Sequence, residues 1–488
     1  MTSAAVRPFV IGLTGSIGMG KSTAVSWLRK AGVRVHDADA TVHRLYSPGG
    51  AAVKPLSVLI PGVEAVDGGI DRAKLSAKLR AGEANLKDVE TIVHPLVAAD
   101  RDSFLDDAAR DGEWLVVLDV PLLLETTDEA ARARLLDSLV VVSAPARVQR
   151  ARVLARPGMT EDTFQFILSK QIPDEIKRAA ADCVIDTGPT ASGFESFAPA
   201  RATLAATLMS LAKRHKVAYE AWRDRPAPSP AGSPPSSAAR VRGVSFDLDD
   251  TLFPTMPAIN AASLSLLAAL QTEMPKAYAA GACETTAMHG YSKAVAESEP
   301  SLAHDFMELR RAALLSIATA HGDPPAGVDA VLDAFAKARS DVGAFFYADA
   351  KPAIAALRAA GMRVGACTNG SCDVSMFEEV AQHFDFSVTA ADAGCSKPAP
   401  VPFWFAAHGA NCRLCELVHI GDDAVCDLQG ALDAGCRAIL VTRPSATHAK
   451  PPSGSDQPCR PVPDPARWRE VSSLDEAVAV VLQWRRES

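Results

Sequence analysis

The stretch from Gly12 to Thr23 reads Gly-Leu-Thr-Gly-Ser-Ile-Gly-Met-Gly-Lys-Ser-Thr and contains the phosphate-binding pattern G-x-x-x-x-G-K-[ST]. The apolar run before it, from Phe9, predicts a buried strand, and the segment after it predicts a helix. At such a turn the backbone N–H groups close round a triphosphate, Lys21 reaches the outer phosphates and the Ser22 hydroxyl is placed to hold Mg²⁺. The predicted nucleotide-binding residues follow one another along this loop: Gly15, Ser16, Ile17, Gly18, Met19, Gly20, Lys21, Ser22 and Thr23.

A carboxylate follows the next predicted strand. The segment Val33-Arg-Val35 predicts the next strand, and Asp37 comes at its carboxyl end. Ligands of open parallel sheets bind beyond this edge, so we expect Asp37 to face the nucleotide and to accept a proton from an attacking hydroxyl. The alternative is that Asp37 only caps a helix. Farther along, the basic segment 147–178 is either a lid that closes over ATP or a solvated helix face.

A second chemical signature starts at Val244, where Val-Ser-Phe-Asp-Leu-Asp-Asp-Thr-Leu leads a short apolar strand into Asp247 and Asp249. Side chains two residues apart leave the same face of a strand, so the two carboxylates point to one place. One can attack phosphorus to form an aspartyl phosphate, while the other protonates the leaving oxygen and then activates water. Taken alone, this motif could also be a chance acidic turn.

Two segments farther along the chain support a phosphoryl site. An apolar strand ends in Thr368, Asn369 and Gly370, which offer a hydroxyl and backbone amides to phosphoryl oxygens. Lys397 lies in a later loop, where it can balance the charge of a pentavalent intermediate. These residue types, in this order, favour phosphate chemistry over a chance acidic turn.

A last strand ends in Asp422 and Asp427, whose hard carboxylate oxygens suit Mg²⁺. The sequence thus predicts one magnesium site in each half of the chain. The predicted metal ligands are Ser22 in the first half and Asp247, Asp249, Asp422 and Asp427 in the second.

The chain is too long for one domain. It has 488 residues, whereas a single core seldom grows beyond about 250 to 300 residues. A stretch rich in proline and serine before residue 240 cannot pack a core and predicts an extended tether. We therefore expect one domain over residues 1–215, a linker over 216–240 and a second domain over 241–488. A second proline-rich stretch, Pro444 to Pro465, predicts a surface loop before the final helix.

Composition limits the kinds of partner. With 48% hydrophobic and 22% charged residues the chain is typical of globular proteins, and its net charge of −8 argues against a general nucleic-acid binder. No apolar run approaches the length of a membrane span, and the first strand starts too early to leave room for a signal peptide, so we expect a cytoplasmic protein. The ten cysteines lack disulfide-like spacing, and Cys412 and Cys415 are expected to pack rather than bind metal.

Residues 8–210 resemble the dephospho-CoA kinase family. Beyond the phosphate loop, the resemblance depends on motifs in preserved order: His36-Asp-Ala-Asp39, Val93-His-Pro-Leu-Val97, Asp119-Val-Pro-Leu-Leu-Leu-Glu125 and Ala181-Asp-Cys-Val-Ile-Asp186. The resemblance implies transfer of the γ-phosphate of ATP to the 3′-hydroxyl of dephospho-CoA. It also implies roles for single residues: Asp37 as base, Lys21 and Ser22 at the triphosphate and metal, Arg156 in the lid, and His94 and Glu125 at the acceptor. Ile176 and Thr187 depart from the family pattern on the adenine side.

Residues 241–485 resemble the haloacid dehalogenase superfamily, whose four motifs appear in the right order. Asp249 is present, and dehalogenases of the superfamily lack it, so a phosphatase is preferred. Residues 254–347 resemble the helical cap of one branch, which selects the substrate. Basic residues of this segment, Arg310 and Arg339 among them, are dispersed among acids in the sequence and do not identify the phosphoester. The expected fold class is α/β: a P-loop kinase domain with a parallel sheet, then a Rossmann-like domain with a helical cap.

The leading hypothesis is a bifunctional enzyme that acts on small molecules: ATP, dephospho-CoA and a phosphomonoester, with Mg²⁺ as cofactor and no nucleic-acid or membrane partner. Two alternatives stay open. The second domain could be a non-catalytic binding or regulatory module, although the full set of polar motifs argues against this. The first domain could also be a different small-molecule kinase, such as a nucleoside or nucleotide kinase.

Overall fold

The computed structural model describes residues 7–225, 240–283, 285–443, 464 and 466–487. Within these ranges the chain divides into two compact units. The first unit consists of the residues up to Arg29 together with Val33–Asp186. The second unit consists of Lys30–Gly32 together with the residues from Thr187 onward. No helix in the described ranges is long and apolar enough to cross a lipid bilayer.

The first unit is built on a five-stranded sheet in the order β2-β3-β1-β4-β5, with all neighbours parallel. The central strand is apolar throughout because helices cover both faces of a parallel sheet; Val10 and Leu13 on it are fully buried. The strands are β1 (Phe9–Thr14), β2 (Arg34–Asp37), β3 (Leu115–Asp119), β4 (Ser138–Ser143) and β5 (Cys183–Asp186).

Ten helices connect these strands. The helix after β1 starts at the last residues of the phosphate loop, and a long helix of 25 residues precedes β3. They are α1 (Lys21–Lys30), α2 (Ala38–Tyr46), α3 (Val53–Leu59), α4 (Arg72–Arg80), α5 (Leu86–Arg110), α6 (Leu123–Thr126), α7 (Glu129–Leu135), α8 (Ala146–Leu154), α9 (Glu161–Leu168) and α10 (Asp174–Ala180).

The second unit has a six-stranded sheet in the order β11-β10-β9-β6-β7-β8, again parallel throughout. Its core is centred on β6, where Val244 and Phe246 are fully buried. The strands are β6 (Gly243–Phe246), β7 (Arg363–Thr368), β8 (Phe386–Thr389), β9 (Leu417–Gly421), β10 (Arg437–Val441) and β11 (Trp468–Val471). The predicted α/β class, with a parallel sheet in each half, is confirmed.

Six α-helices of the second unit lie between β6 and β7, and we call the first five of them, α13 to α17, the helical insertion. The insertion has its own apolar cluster, in which Leu270 and Ile317 are fully buried. The helices are α11 (Ala198–Arg214), α12 (Lys216–Arg223), α13 (Thr255–Glu273), α14 (Pro275–Ala279), α15 (Thr285–Ser298), α16 (Phe306–His321), α17 (Gly327–Ser340), α18 (Ala350–Ala359), α19 (Glu378–Ala381), α20 (Ala390–Ala393), α21 (Val401–Gly409), α22 (Gly430–Ala434) and α23 (Leu474–Glu487), with a π-helical turn at Ala424–Gln429 and short 3-10 turns at Pro300–Leu302 and Leu414–Glu416.

The predicted linker over 216–240 starts with a helix, α12, which precedes the proline-rich stretch. In α12, Tyr219 is buried, stacks near Trp404 with ring centroids 5.7 Å apart, and accepts a hydrogen bond of 3.2 Å from the Trp404 indole. This aromatic contact explains why α12 is ordered as part of the second unit. Most of the rest of the linker, and almost all of the proline-rich stretch 444–465, lie outside the described residues.

Candidate active sites

The phosphate loop of the first unit has no room for side chains at two of its glycines. A Cβ on Gly15 would lie 2.6 Å from the carbonyl oxygen of Val142. Gly18 has a φ of +79°, and a Cβ there would lie 2.5 Å from Cγ2 of Val153. The loop therefore lies directly against β4 and α8, and its backbone can adopt this turn only with glycine at these positions.

Side chains from the predicted basic lid segment hold the same loop. The Ile17 N–H donates to Oε1 of Gln171 at 3.2 Å, and Nε2 of Gln149 donates to the Ile17 carbonyl at 2.8 Å. Met19 is buried beneath the loop, 2% exposed. Gln149 and Gln171 thus hold the loop in place through the two backbone groups of Ile17.

Lys21 forms an ion pair with an aspartate of the neighbouring strand: its Nζ lies 2.6 Å from Oδ1 of Asp119. Asp119 ends β3 and is directly opposite Asp37 of β2 in the sheet register. Burial raises the pKa of Asp119 and the negative charges of Asp37 and Asp39 add to this rise, while Lys21 opposes it. The carboxyl ends of β2 and β3 thus bring acidic groups together beside the phosphate-loop lysine.

Asp37 caps a helix and lies at the site at the same time. It is the last residue of β2, and its Oδ1 accepts a hydrogen bond of 2.9 Å from the N–H of Ala40 in α2. Its Oδ2 lies 3.6 Å from Arg29. Capping thus uses one oxygen of Asp37, and the other faces the guanidinium of Arg29.

The predicted acceptor residues differ in their surroundings. Glu125 lies 2.7 Å from Lys177, whose side chain is fully buried, and it also accepts a hydrogen bond of 3.0 Å from the N–H of Ile172. His94 is exposed on α5, and Arg156 is exposed just beyond α8. Of these three predicted residues, only Glu125 belongs to a buried ion pair.

In the second unit, three of the predicted metal ligands converge. Asp247 follows β6, and Asp422 and Asp427 follow β9, its neighbour in the sheet. One carboxylate oxygen from each of the three lies within 4.8 Å of the others. Asp249, also predicted as a ligand, is not in this group of described carboxylates and has a different partner.

Lys397 connects two of these carboxylates. Its Nζ lies 2.8 Å from Oδ1 of Asp247 and 2.6 Å from Oδ1 of Asp427, and it donates to the carbonyl of Cys367 at 2.7 Å. Burial lowers the pKa of Lys397, but the two aspartates outweigh burial and raise it above the ordinary value. The lysine is therefore a fixed positive charge in the centre of the site.

A buried histidine, His419 on β9, adjoins this cluster and was not predicted from the sequence. Its Nδ1 lies 2.9 Å from Oγ of Ser245 and its Nε2 lies 3.1 Å from Oδ1 of Asp427. Burial lowers the pKa of His419 and the positive charge of Lys397 lowers it further, while Asp427 opposes the shift. Burial pushes the pKa of Asp427 upward, but Lys397 and His419 outweigh it and hold that pKa low. A histidine within an otherwise apolar strand was the available signal.

The remaining acidic groups of the cluster repel each other. Burial raises the pKa of Asp247 well above the ordinary value, and Asp427 and Asp422 add to that rise against Lys397. Burial likewise raises the pKa of Asp422 to about 7. Asp422 accepts a hydrogen bond of 3.0 Å from Oγ1 of Thr251. Such a group of carboxylates is suited to a divalent cation, which would offset the repulsion.

The predicted phosphoryl-binding loop is fixed to the loop of Lys397. Asn369 Nδ2 donates to the Lys397 carbonyl at 3.0 Å, and the Lys397 N–H donates to Oδ1 of Asn369 at 2.7 Å. The Gly370 N–H donates to Oγ1 of Thr368 at 2.9 Å, and Thr368 itself is buried. These bonds hold Thr368 and Gly370 at the carboxyl end of β7, beside β6.

Asp249 pairs with an arginine of the helical insertion. Nη2 of Arg339, in the last turn of α17, donates to both Asp249 oxygens and lies 2.6 Å from Oδ2. The Arg339 side chain is only 4% exposed. The sequence did not indicate this pair because 90 residues separate its members.

Both halves of the chain match known families. Residues 9–192 match the family model for dephospho-CoA kinase, and residues 241–435 match the model for haloacid dehalogenase-like hydrolases. A dephospho-CoA kinase of Mesorhizobium japonicum is 55% identical over 179 residues, covering 37% of this chain and 87% of the relative. A second, from Rhizobium meliloti, is 51% identical over 178 residues, covering 36% of this chain and 88% of the relative.

Solved structures resemble each half as well. A 2-haloacid dehalogenase from Pseudomonas syringae is 29% identical with a TM-score of 0.43, covering 50% of this chain and 99% of that one. A dephospho-CoA kinase from Campylobacter jejuni is 20% identical with a TM-score of 0.33, covering 42% of this chain and 98% of that one. From the family matches and the curated relatives, the chain belongs to the dephospho-CoA kinase family through its N-terminal half and carries a haloacid dehalogenase-like hydrolase domain in its C-terminal half.

Proposed function

We propose that the first unit transfers the γ-phosphate of ATP to the 3′-hydroxyl of dephospho-CoA, with Asp37 as the base. The observation that carries this proposal is the pairing of Asp37 and Asp119 at the carboxyl ends of β2 and β3, with Lys21 on Asp119. A base for an acceptor hydroxyl must lie near the phosphates of the donor, and this is where the phosphate loop opens.

The other predicted residues of this unit have supporting roles in the proposal. The loop N–H groups and Lys21 bind the triphosphate, and Ser22 and Asp119 would hold Mg²⁺. Arg156, exposed beyond α8, closes over the phosphates as part of the lid. His94 and Glu125 border the dephospho-CoA site, with Glu125 oriented by Lys177 at 2.7 Å.

The kinase proposal is tested by supplying the purified chain with ATP and either dephospho-CoA or a panel of nucleosides and nucleotides. Mass spectrometry of the products identifies which acceptor gains a phosphate and at which hydroxyl. We expect coenzyme A as the preferred product. Preferred phosphorylation of a nucleoside or nucleotide would contradict the proposal and favour a different small-molecule kinase.

We further propose that the second unit hydrolyses a phosphomonoester through an aspartyl phosphate on Asp247. The carboxylate of Asp247 attacks phosphorus, the ester oxygen leaves as the alcohol after taking a proton from Asp249, and Asp249 then removes a proton from the water that cleaves the acyl phosphate. Lys397, 2.8 Å from Asp247, and the Thr368–Gly370 loop stabilise the charge of the phosphoryl group.

A divalent cation fits this second site. Asp247, Asp422 and Asp427 supply three carboxylate oxygens within 4.8 Å, which is the ligand chemistry that Mg²⁺ takes in proteins. When bound, Mg²⁺ supplies positive charge that offsets the repulsion between carboxylate and phosphate. Asp249, expected from the sequence as a fourth ligand, lies outside this group of carboxylates and pairs with Arg339 instead.

Trapping the acyl phosphate tests this mechanism. With p-nitrophenyl phosphate, which needs little help from an acid to leave, Asp249→Asn should still form the intermediate but hydrolyse it slowly. We expect a burst of p-nitrophenol equal to the enzyme concentration, and a phosphoryl adduct on the peptide that contains Asp247 by mass spectrometry. Asp247→Asn is the control without a burst. Turnover without any adduct, or no turnover by the wild type, would contradict the proposal; the latter would favour a regulatory domain.

A further inference from the structure

Arg339 lies at the candidate hydrolase site, and one of its two terminal guanidinium nitrogens makes no hydrogen bond to the described residues. Its Nη2 donates to Asp249, but its Nη1 is buried and has no hydrogen-bond partner among the described residues. Leaving a buried N–H of a charged group unpaired is costly, more so than for a neutral one. A structural ion pair alone does not explain why this nitrogen is directed into the interior.

A second guanidinium, half-buried, lies close enough to Arg339 to be affected by its charge. Arg310 of α16 stacks on the ring of Phe335 at 3.8 Å, and Phe335 lies one helical turn before Arg339 on α17. Burial and the positive charge of Arg339 together lower the pKa of Arg310 to about 10. The basic residues that looked dispersed in the sequence therefore include two that the fold brings together.

No acidic side chain balances Arg310 within the described ranges. Arg310 donates to Sδ of Met307 at 3.7 Å, whereas the adjacent Arg311 pairs with Asp329 on the surface. In the part of the chain that the structure describes, Asp249 is the one carboxylate paired with either Arg310 or Arg339, which leaves an excess of positive charge here. Such an excess is suited to an anion from outside the protein.

This positive charge borders the phosphoryl-binding loop. A Cβ on Gly370 would lie 2.5 Å from Oδ2 of Asp249, 3.2 Å from Oγ1 of Thr368 and 3.4 Å from Nη2 of Arg339. The loop, the proposed acid and the arginine thus meet at one point. A group bound by Arg339 would be attached close to the ester oxygen that Asp249 protonates, on the leaving-group side of the phosphate.

We propose that the phosphomonoester carries a second anionic group, a carboxylate or a phosphate, on its leaving alcohol, and that Arg339 and Arg310 bind it. This inference rests on the proposed hydrolysis at Asp247 and names its substrate class. Binding of the anion to the free Nη1 of Arg339 satisfies the unpaired donor and orients the alcohol toward Asp249.

Matched ester pairs test the inference in the full-length protein. Phosphoglycolate is compared with 2-hydroxyethyl phosphate, in which a hydroxymethyl group replaces the carboxylate. Ethylene glycol bisphosphate, which has a phosphate at the same end, tests whether the second anionic group is a phosphate. We expect kcat/KM about 100-fold higher for at least one anionic ester than for 2-hydroxyethyl phosphate. The ester that shows the preference distinguishes carboxylate from phosphate.

Substitutions assign the preference to the two arginines. Arg310→Gln and Arg339→Gln should each lower the ratio of kcat/KM for the anionic ester to that for 2-hydroxyethyl phosphate, removing most of the preference. Arg311→Gln is the matched control and should keep the preference. Thermal unfolding verifies that each variant is folded.

Three results would overturn the inference. The wild type could hydrolyse the neutral and anionic esters equally, or Arg310→Gln could slow both to the same extent, which would make the arginines structural. In both cases hydrolysis of p-nitrophenyl phosphate would still support the proposed function. If the wild type hydrolysed no ester at all, p-nitrophenyl phosphate included, the proposed function and the inference would fail together.

Discussion

Nζ of Lys21 lies 2.6 Å from Oδ1 of Asp119, which joins the phosphate loop to the strand that carries the second acidic motif. This ion pair is only partly exposed, with 18% of the lysine and 6% of the aspartate side chain accessible. Asp119 is thus the counter-charge of Lys21. Asp37 lies opposite Asp119 in the sheet register, which is the position we propose for the base at the acceptor hydroxyl.

Substitution of Asp37 should slow phosphoryl transfer without weakening the binding of ATP. Asp37→Asn should lower kcat for dephospho-CoA phosphorylation by about 100-fold to 10,000-fold, with little change in KM for ATP, because the base acts on the acceptor. The amide can still accept the capping bond from Ala40, so stability should be kept. Steady-state kinetics measure both constants. Asp71→Asn is the matched control, since Asp71 caps α4 in the same unit. A selective loss of ATP affinity would instead mark Asp37 as a metal or structural residue.

Magnesium should stabilise the second unit through the carboxylates of Asp247, Asp422 and Asp427. At a Mg²⁺ concentration about 100 times its dissociation constant, mass action adds about 2.7 kcal/mol to the free energy of unfolding. Thermal unfolding of chelator-treated protein with and without Mg²⁺ measures this. Asp422→Asn should remove most of the increase, and Asp475→Asn, exposed on α23, should keep it. An equal increase in both variants would mean that the cation binds elsewhere.

Burial of His304 should make the second unit less stable in acid. Burial lowers the pKa of His304, Asp305 opposes this shift and Arg201 adds to it, and Nε2 of the ring has no partner in the described structure. The unfolded chain therefore binds this proton at a higher pH than the folded one, so stability falls as pH drops below about 6.5. We expect the drop in Tm from pH 7 to pH 5.5 to be smaller in His304→Gln than in the wild type, by roughly 2–4 °C. Parallel pH profiles of the two proteins would contradict the assignment.

The contact between α12 and the second unit predicts a loss of stability when Tyr219 is truncated. Tyr219→Ala removes a buried ring beside Trp404 and should cost about 3–5 kcal/mol in the free energy of unfolding. Tyr219→Phe removes only the acceptor of the indole hydrogen bond and should cost about 1 kcal/mol. Denaturant unfolding measures both, with Tyr278→Ala at an exposed position as the control. A cost below about 1 kcal/mol for Tyr219→Ala would show that α12 is not a structural part of this unit.

Much of the sheet architecture followed from local patterns. The strand expected from Phe9 to Leu13 is β1, Phe9–Thr14, because a fully buried parallel strand reads as a continuous apolar run. The strand expected over residues 33–35 is β2, Arg34–Asp37, which continues through polar residues because its edge meets the site. Motif spacing likewise indicated Asp247, Asp422 and Asp427, which the fold brings within 4.8 Å.

What the sequence could not predict depends on distant packing. Arg339 reaches Asp249 across 90 residues, and no local pattern distinguishes it from the other arginines of the insertion. Nothing in the local sequence around Tyr219 predicts that α12 forms within the expected linker. Its contact with Trp404, which is distant in the sequence, explains why the helix is there. His419 could have been noticed as a polar residue within an apolar strand, but its partners Ser245 and Asp427 emerge only from the sheet order.

We propose that the two catalytic sites of this chain work independently of each other, and a crossed pair of variants tests this independence. Lys21→Ala and Asp247→Asn are each assayed for ATP-dependent phosphorylation of dephospho-CoA and for hydrolysis of p-nitrophenyl phosphate, with Lys54→Ala, exposed on α3, as the control. We predict that Lys21→Ala loses only the kinase activity and Asp247→Asn only the hydrolase activity, each by at least about 100-fold. If either substitution abolished both activities in a folded protein, the two sites would not be independent, and the proposal would be contradicted.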